Sequence, residues 1–221
     1  MSFWKSLFGQ SETILSPNAV ETAFSLGDKL AMLQHVLSQG FESAKADQFK
    51  TVFRKSILED AATLKVQVPP EYLTSAADPR VEKLSDQIAV KQGKVVAGFF
   101  RFSFQAKLAN HLADMIAKGG PNMSFMAGII GLNLDLCVTE AALAAKEIHA
   151  NDEHLFKSKE GLKLMEDAVN EGKGIATQVR ALVRSGFEGQ SQQLMDISER
   201  LHRWWTKFSI GVPLELRLRR K

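Results

Sequence analysis

"FFRFSFQ", residues 99–105, decides how this chain is read. Phe100, Phe102 and Phe104 alternate with polar residues, the period of a strand that buries one face. The same stretch also continues a helical stripe, Val95, Phe99, Phe102, Ala106 and Ala109, at steps of three and four. "GLNLDLCV", residues 131–138, poses the same choice. Leu132, Leu134 and Leu136 alternate, while Met126, Ile130, Leu134, Cys137 and Ala141 follow a helix. Long helical patterns flank both stretches, so the expectation is helix for each and a mainly α fold. The alternative is an α+β fold in which these runs form a small sheet.

The neighbouring segments read as helices. Ser16 as N-cap and Pro17 at the first helical position open a stripe of Ala23, Leu26, Leu30, Leu33 and Leu37 that ends at Gly40. Phe41, Phe49, Val52, Phe53, Ile57, Ala61 and Leu64 mark a second helix, and the short joint predicts an antiparallel pair. Later stripes are Leu162, Met165, Val169, Gly172, Ala176, Val179 and Val183, then Leu194, Ile197, Leu201, Trp204 and Phe208. Gly172 falls on a buried line, where another backbone has room to approach. The sum is a bundle of about six helices. "VPPEYLTSAADPR", residues 68–80, breaks the pattern, because its proline pair forbids helix. It predicts a boundary between an N-terminal helical pair (1–68, with a short aromatic helix at its start) and a main bundle (79–221, with a basic tail), or a hinge within one domain. "TLKVQV" (63–68) and "VPLELRL" (212–218) alternate beside prolines and predict extended segments, the last an edge strand or a flexible tail.

The bulk numbers exclude several classes. With 221 residues, 45% hydrophobic and 24% charged, the chain suits a folded core rather than disorder. One cysteine, Cys137, leaves no internal disulfide and fits a reducing compartment. The first residues lack the pattern of a secretory signal. Residues 123–138 contain Ser124, Asn133 and Asp135, too short and polar a run to span a bilayer. The cytoplasm is the expected location. Net charge is +3, but residues 199–221 hold seven cations against two acids, leaving the other 198 residues at −2. A basic tail on an acidic body weighs against a nucleic-acid partner.

No catalytic or cofactor motif stands out, and no cofactor is expected. "QGKVVA" (92–97) and "EGKGIA" (171–176) lack the spaced glycine and the Ser/Thr of a phosphate-binding loop. "EIHANDEH" (147–154) gathers Glu147, His149, Asp152, Glu153 and His154, but a spacing of five turns the two imidazoles apart, so no metal site is predicted. His35 and His111 both point away from the apolar stripes of their helices and read as solvated. Cys137 reads as a small buried hydrophobe.

The two ends carry the functional expectation. Phe3, Trp4, Leu7 and Phe8 share a face of a two-turn helix with Lys5 opposite, and burying each such side chain is worth roughly 1.5–3 kcal/mol. Trp204 and Trp205 continue or border the apolar face of their helix and read as core anchors, while Arg200, Arg203 and Lys207 gather on the opposite arc. Arg217, Arg219, Arg220 and Lys221 make the tail basic. The leading reading is a non-enzymatic helical adaptor or peripheral membrane-associated protein. It would meet another protein, an anionic membrane surface on the inner face, or both, through the aromatic face and the basic tail. The alternative is an enzyme or ligand-binding bundle with a pocket near Phe99–Phe104, His111 and His149.

Overall fold

The computed structural model describes residues 16–40, 42–75, 81–119, 123–150, 159–187 and 190–218, with the backbone alone at Pro17, 123–126, Ile210 and 212–218. Among these residues the chain forms eight helices and no strand. They are α1 (Pro17–Ser38), α2 (Ala44–Thr63), α3 (Pro70–Thr74), α4 (Glu82–Gln92), α5 (Lys94–Lys118), α6 (Met123–Ala150), α7 (Lys159–Arg184) and α8 (Ser191–Leu218). The mainly α reading holds, with eight helices in place of about six. The two additions are α3 and α4. α3 is a single turn that begins on Pro70 itself, so the pair does not forbid helix but starts one at the position where a proline fits. A single residue, Gly93 at φ 95°, separates α4 from α5. A glycine tolerates that positive φ at no steric cost, so the chain turns there without a loop.

Helices α5 to α8 form an up-down-up-down bundle. Arg101 on α5 pairs with Glu147 near the end of α6, and Gly98 faces Ile148, so these two run antiparallel. Arg180 on α7 reaches Asp135 and Thr139 of α6. On α8, Arg200 and Lys207 pair with Glu171 and Asp167 of α7. Ser198 on α8 donates to Asp114 of α5 at 2.6 Å, closing the ring. Outside the ring, α1 lies parallel to α5: Ser103 donates to the Phe24 carbonyl, Lys107 faces Asp28, and His35 meets His111. α2 returns along α1, where Asp60 accepts from both Ser25 and Lys29, as the short joint predicts.

The central helix explains the ambiguous stretch. From Val95 to Ala106 every α5 side chain is buried except Arg101, because α1, α4, α6 and α8 all pack on it. Phe99, Phe100, Phe102 and Phe104 are at most 1% exposed. A helix enclosed on all sides has no polar face, so its sequence carries no clean period of 3.6. Phe102 meets Trp204 and Phe208 edge-to-face at 5.6 and 6.1 Å, and Phe24 stacks on Trp205 at 5.6 Å. Both tryptophans are therefore core anchors, as expected.

The proline-flanked segments differ from each other. The extended reading of 63–68 fails at its start, where Thr63 ends α2 and Leu64 and Lys65 form a turn. Residues 66–69 lie outside any helix, and burial alternates all the same, with Leu64, Val66 and Val68 buried and Lys65 and Gln67 exposed. Instead of joining a sheet, the Gln67 amide donates to the Gln87 side chain of α4. The expectation for 212–218 is overturned: α8 continues as helix through Pro213 to Leu218. Proline removes one backbone donor and strains the preceding turn, but a helix anchored by Leu201, Trp204, Trp205 and Phe208 in the core carries on past it. Gly172 also differs in detail, since the Ala142 methyl and the Trp204 ring fill the space above it rather than a backbone. The buried apolar residues form one cluster from Ala19 on α1 to Phe208 on α8, continuous across the Pro69–Pro70 break.

Gly27 sets the approach of α1 to α5. A Cβ there would lie 2.5 Å from the Phe100 carbonyl oxygen and 2.9 Å from the Phe104 nitrogen, both backbone atoms that cannot swing aside. Gly27→Ala is expected to lose about 1–3 kcal/mol of stability in denaturant titration, despite the gain in helix propensity. Gly174→Ala, on the exposed side of α7, is expected to gain up to about 1 kcal/mol in the same assay.

Candidate functional site

Of the residues singled out as contacts, Phe3, Trp4, Lys5, Leu7, Phe8, Arg219, Arg220 and Lys221 lie outside the described residues, and Arg217 is described by its helical backbone alone. Arg200, Arg203 and Lys207 line a groove of about 620 Å³ between α7 and α8, together with Asp167, Glu171 and the edge of Trp204. Two of these cations are already engaged. Arg200 donates to Glu171 at 2.6 Å and to the Gln178 side chain at 2.5 Å, and Lys207 donates to Asp167 at 2.8 Å. Such half-exposed pairs contribute about 0.2–1 kcal/mol each, and here they clasp α7 to α8. Arg203 is exposed, with no ion pair among the described residues.

Among the described residues, Phe99–Phe104, His111 and His149 are not brought together. Phe99–Phe104 belong to the core, and His149 is exposed at the end of α6, level with the first turns of α5. His111 stands ten residues beyond Arg101 on α5, about 15 Å along the helix axis. Of the acidic and histidine cluster after Lys146, only Glu147 and His149 are described, and no group of three metal-type ligands occurs among the described residues. Cys137 is buried, and burial pushes its thiol up to about 12, so it behaves as the expected hydrophobe.

The structure corrects the reading of His35 and His111 as solvated. Their rings stack at 4.4 Å, inclined by 9°, between α1 and α5. Nε2 of His111 lies 2.9 Å from Met32 Sδ, and Gln39 caps the far side by donating to Met115 Sδ at 3.0 Å. Two residues that each face away from the core on their own helix face each other once α1 lies along α5. Burial, then the charge of His35 and of Lys107, lowers His111 to about 4, with Asp114 opposing. Burial, then Lys118, lowers His35 as well. Both imidazoles are thus neutral at pH 7 and suited to stacking, whereas two imidazoliums would repel.

The surface that the residue-by-residue reading missed is the outer side of α6. Ile129, Leu132 and Leu143 are 53%, 60% and 52% exposed, and half-buried Leu136 lies on the same line. Over Ala127–Ala150 this helix is long and apolar enough to cross a membrane, yet half of that stretch is buried inside the protein. Its signal was present in "GLNLDLCV": Leu134 points into the core while Leu132 and Leu136 point out. Comparison with protein families, with curated proteins and with solved structures finds no match to this chain.

The histidine pair gives a pH signature. Between about 6.5 and 4 the unfolded chain takes up a proton at His111 that the folded chain refuses, so stability falls as the pH drops through that window. Urea midpoints measured from pH 7 to pH 4.5 are expected to fall less in His111→Leu than in the unaltered chain. Parallel curves would show that the pair does not titrate as described.

Proposed function

We propose that this chain is a helical interaction protein that acts by presenting apolar surface to a macromolecular partner rather than by chemistry on a small substrate. The observation that carries this reading is the row of large apolar side chains on the outer side of α6, half or more exposed at three positions. Scattered single hydrophobics are ordinary on a protein surface, but several aligned along one side of a helix make a recognition feature. The N-terminal aromatics Phe3, Trp4, Leu7 and Phe8 add apolar surface to the same account, and the tail cations Arg217, Arg219, Arg220 and Lys221 add charge. Arg200 and Lys207 contribute less to a partner, because acids on α7 already hold them.

A protein partner suits the α6 surface better than an anionic leaflet. Glu140 and Glu147 border the row on one side and Lys146, Lys173 and Arg180 on the other. Edges of opposite sign are matched by a protein's mixed charge rather than by a uniformly anionic leaflet. In gel filtration of a native extract the chain is expected to elute well ahead of its monomer position. Leu132→Glu, or removal of residues 1–9, is expected to return it there. Elution as a monomer, with a small molecule retained in native mass spectrometry, would overturn the reading in favour of a ligand-binding bundle.

A further inference from the structure

We infer that the outer face of α6 docks a second copy of this chain, with the two α6 helices side by side and parallel about a shared twofold axis. This rests on the interaction reading above and names the partner. Ile129, Leu132, Leu136 and Leu143 fall within an arc of roughly 60° and run for about 21 Å along the helix. The row repeats at steps of three, four and seven, which is the seam spacing of two helices packed side by side with one position, between Leu136 and Leu143, taken by Thr139, which accepts from Arg180. Neither α5 nor α7 covers it, since both lie on the inner half of α6.

The charge on the two borders identifies the occupant. On the α7 side stand Lys146, Lys173 and Arg180, of which Arg180 alone pairs, with Asp135, among the described residues. On the α5 side stand Asn133, Glu140 and Glu147, where Arg101 pairs with Glu147 and also feels the charge of Glu140, so two acids share one cation. One border is cationic and the other acidic. A twofold axis along the helix sets each border against the opposite border of the other copy, joining cation to acid on both sides. A twofold axis across the helix sets each border against itself, cations on cations. The parallel arrangement is therefore the complementary one, and the surface is its own partner.

A shallow groove of about 320 Å³ supports the same arrangement. It runs along the α7 border, with Ala142, Leu143 and Ala176 at its floor and Lys146 and Lys173 at its rim. An acidic side chain from the neighbouring copy, Glu140 above all, fits that chemistry. A single helix pair buries less than the ~800 Å² per partner of a typical stable interface. The dimer is accordingly expected to be reversible, with a dissociation constant on the order of micromolar.

Sedimentation velocity of the full chain tests this. The mass is expected to rise from monomer toward dimer as concentration is raised, and Leu132→Glu or Leu143→Lys to raise the dissociation constant at least ~tenfold. Both positions are exposed, so the melting temperature is expected to stay unchanged at concentrations low enough for the chain to be monomeric. Orientation is read by oxidation: Leu132→Cys and Leu143→Cys are each expected to cross-link to their own copy, while buried Cys137 stays silent. Self-linking at one of the two positions alone would overturn the parallel arrangement. A dimer that survives both charge substitutions would overturn the face. A chain that stays monomeric at every concentration would overturn self-association. A native complex that Leu132→Glu still disperses would then leave the interaction reading standing with a different partner.

Discussion

The structure depends on enclosing α5. This helix offers an almost uninterrupted run of buried side chains from Val95 to Ala106, including four phenylalanines, and no single neighbour covers it. Burying that run takes α1, α4, α6 and α8 together. At Gly27 the α5 backbone fills the space that a side chain would take, so α1 has nothing there to hold it away. Ser103 and Lys107 then fix the register of α1 by reaching Phe24 and Asp28. His35 comes to face His111 as a result of that register rather than of any feature of either helix alone.

Enclosing one helix leaves another uncovered. With α5 at the centre, α6 has neighbours on its inner half only, and its outer half stays free among the described residues. Polar residues there would make α6 an ordinary amphipathic helix. Isoleucine and leucine make it apolar both inward and outward, and the outward row is the basis of the proposed function. The cations of α8 illustrate the opposite case. They read as a surface for a partner. Arg200 and Lys207, however, are met by Glu171 and Asp167 from the adjacent turns of α7 and clasp the two helices, while Arg203 stays exposed outside that clasp.

Much of the fold is legible in the sequence wherever a helix has one wet face. The stripes on α1, α7 and α8 mark the centre of each buried face, and on α8 they give all of it but Trp205. On α1 and α7 the buried face is wider than the stripe and takes in Val20, Phe24 and Ala31, and Ala168, Ile175 and Leu182. Legibility fails where amphipathic periodicity and burial do not coincide. "FFRFSFQ" is ambiguous because its helix has no wet face, and "GLNLDLCV" because its wet face is also apolar. "VPLELRL" misleads through its proline, whose local cost is outweighed by packing from the preceding turns of α8. The histidine pair is invisible in sequence because it depends on the alignment of helices 76 residues apart, which no local pattern encodes.

The parallel seating of α1 on α5 has a consequence for biosynthesis. Leu26, Leu30 and Leu33 are fully covered in the finished molecule, but much of their cover comes from a helix translated some seventy residues later. The α1–α2 hairpin therefore emerges from the ribosome first, with its oily side open. It waits several seconds at ordinary elongation speeds before α5 arrives to close over it. During that interval the uncovered leucines are open apolar surface of the kind that favours clumping.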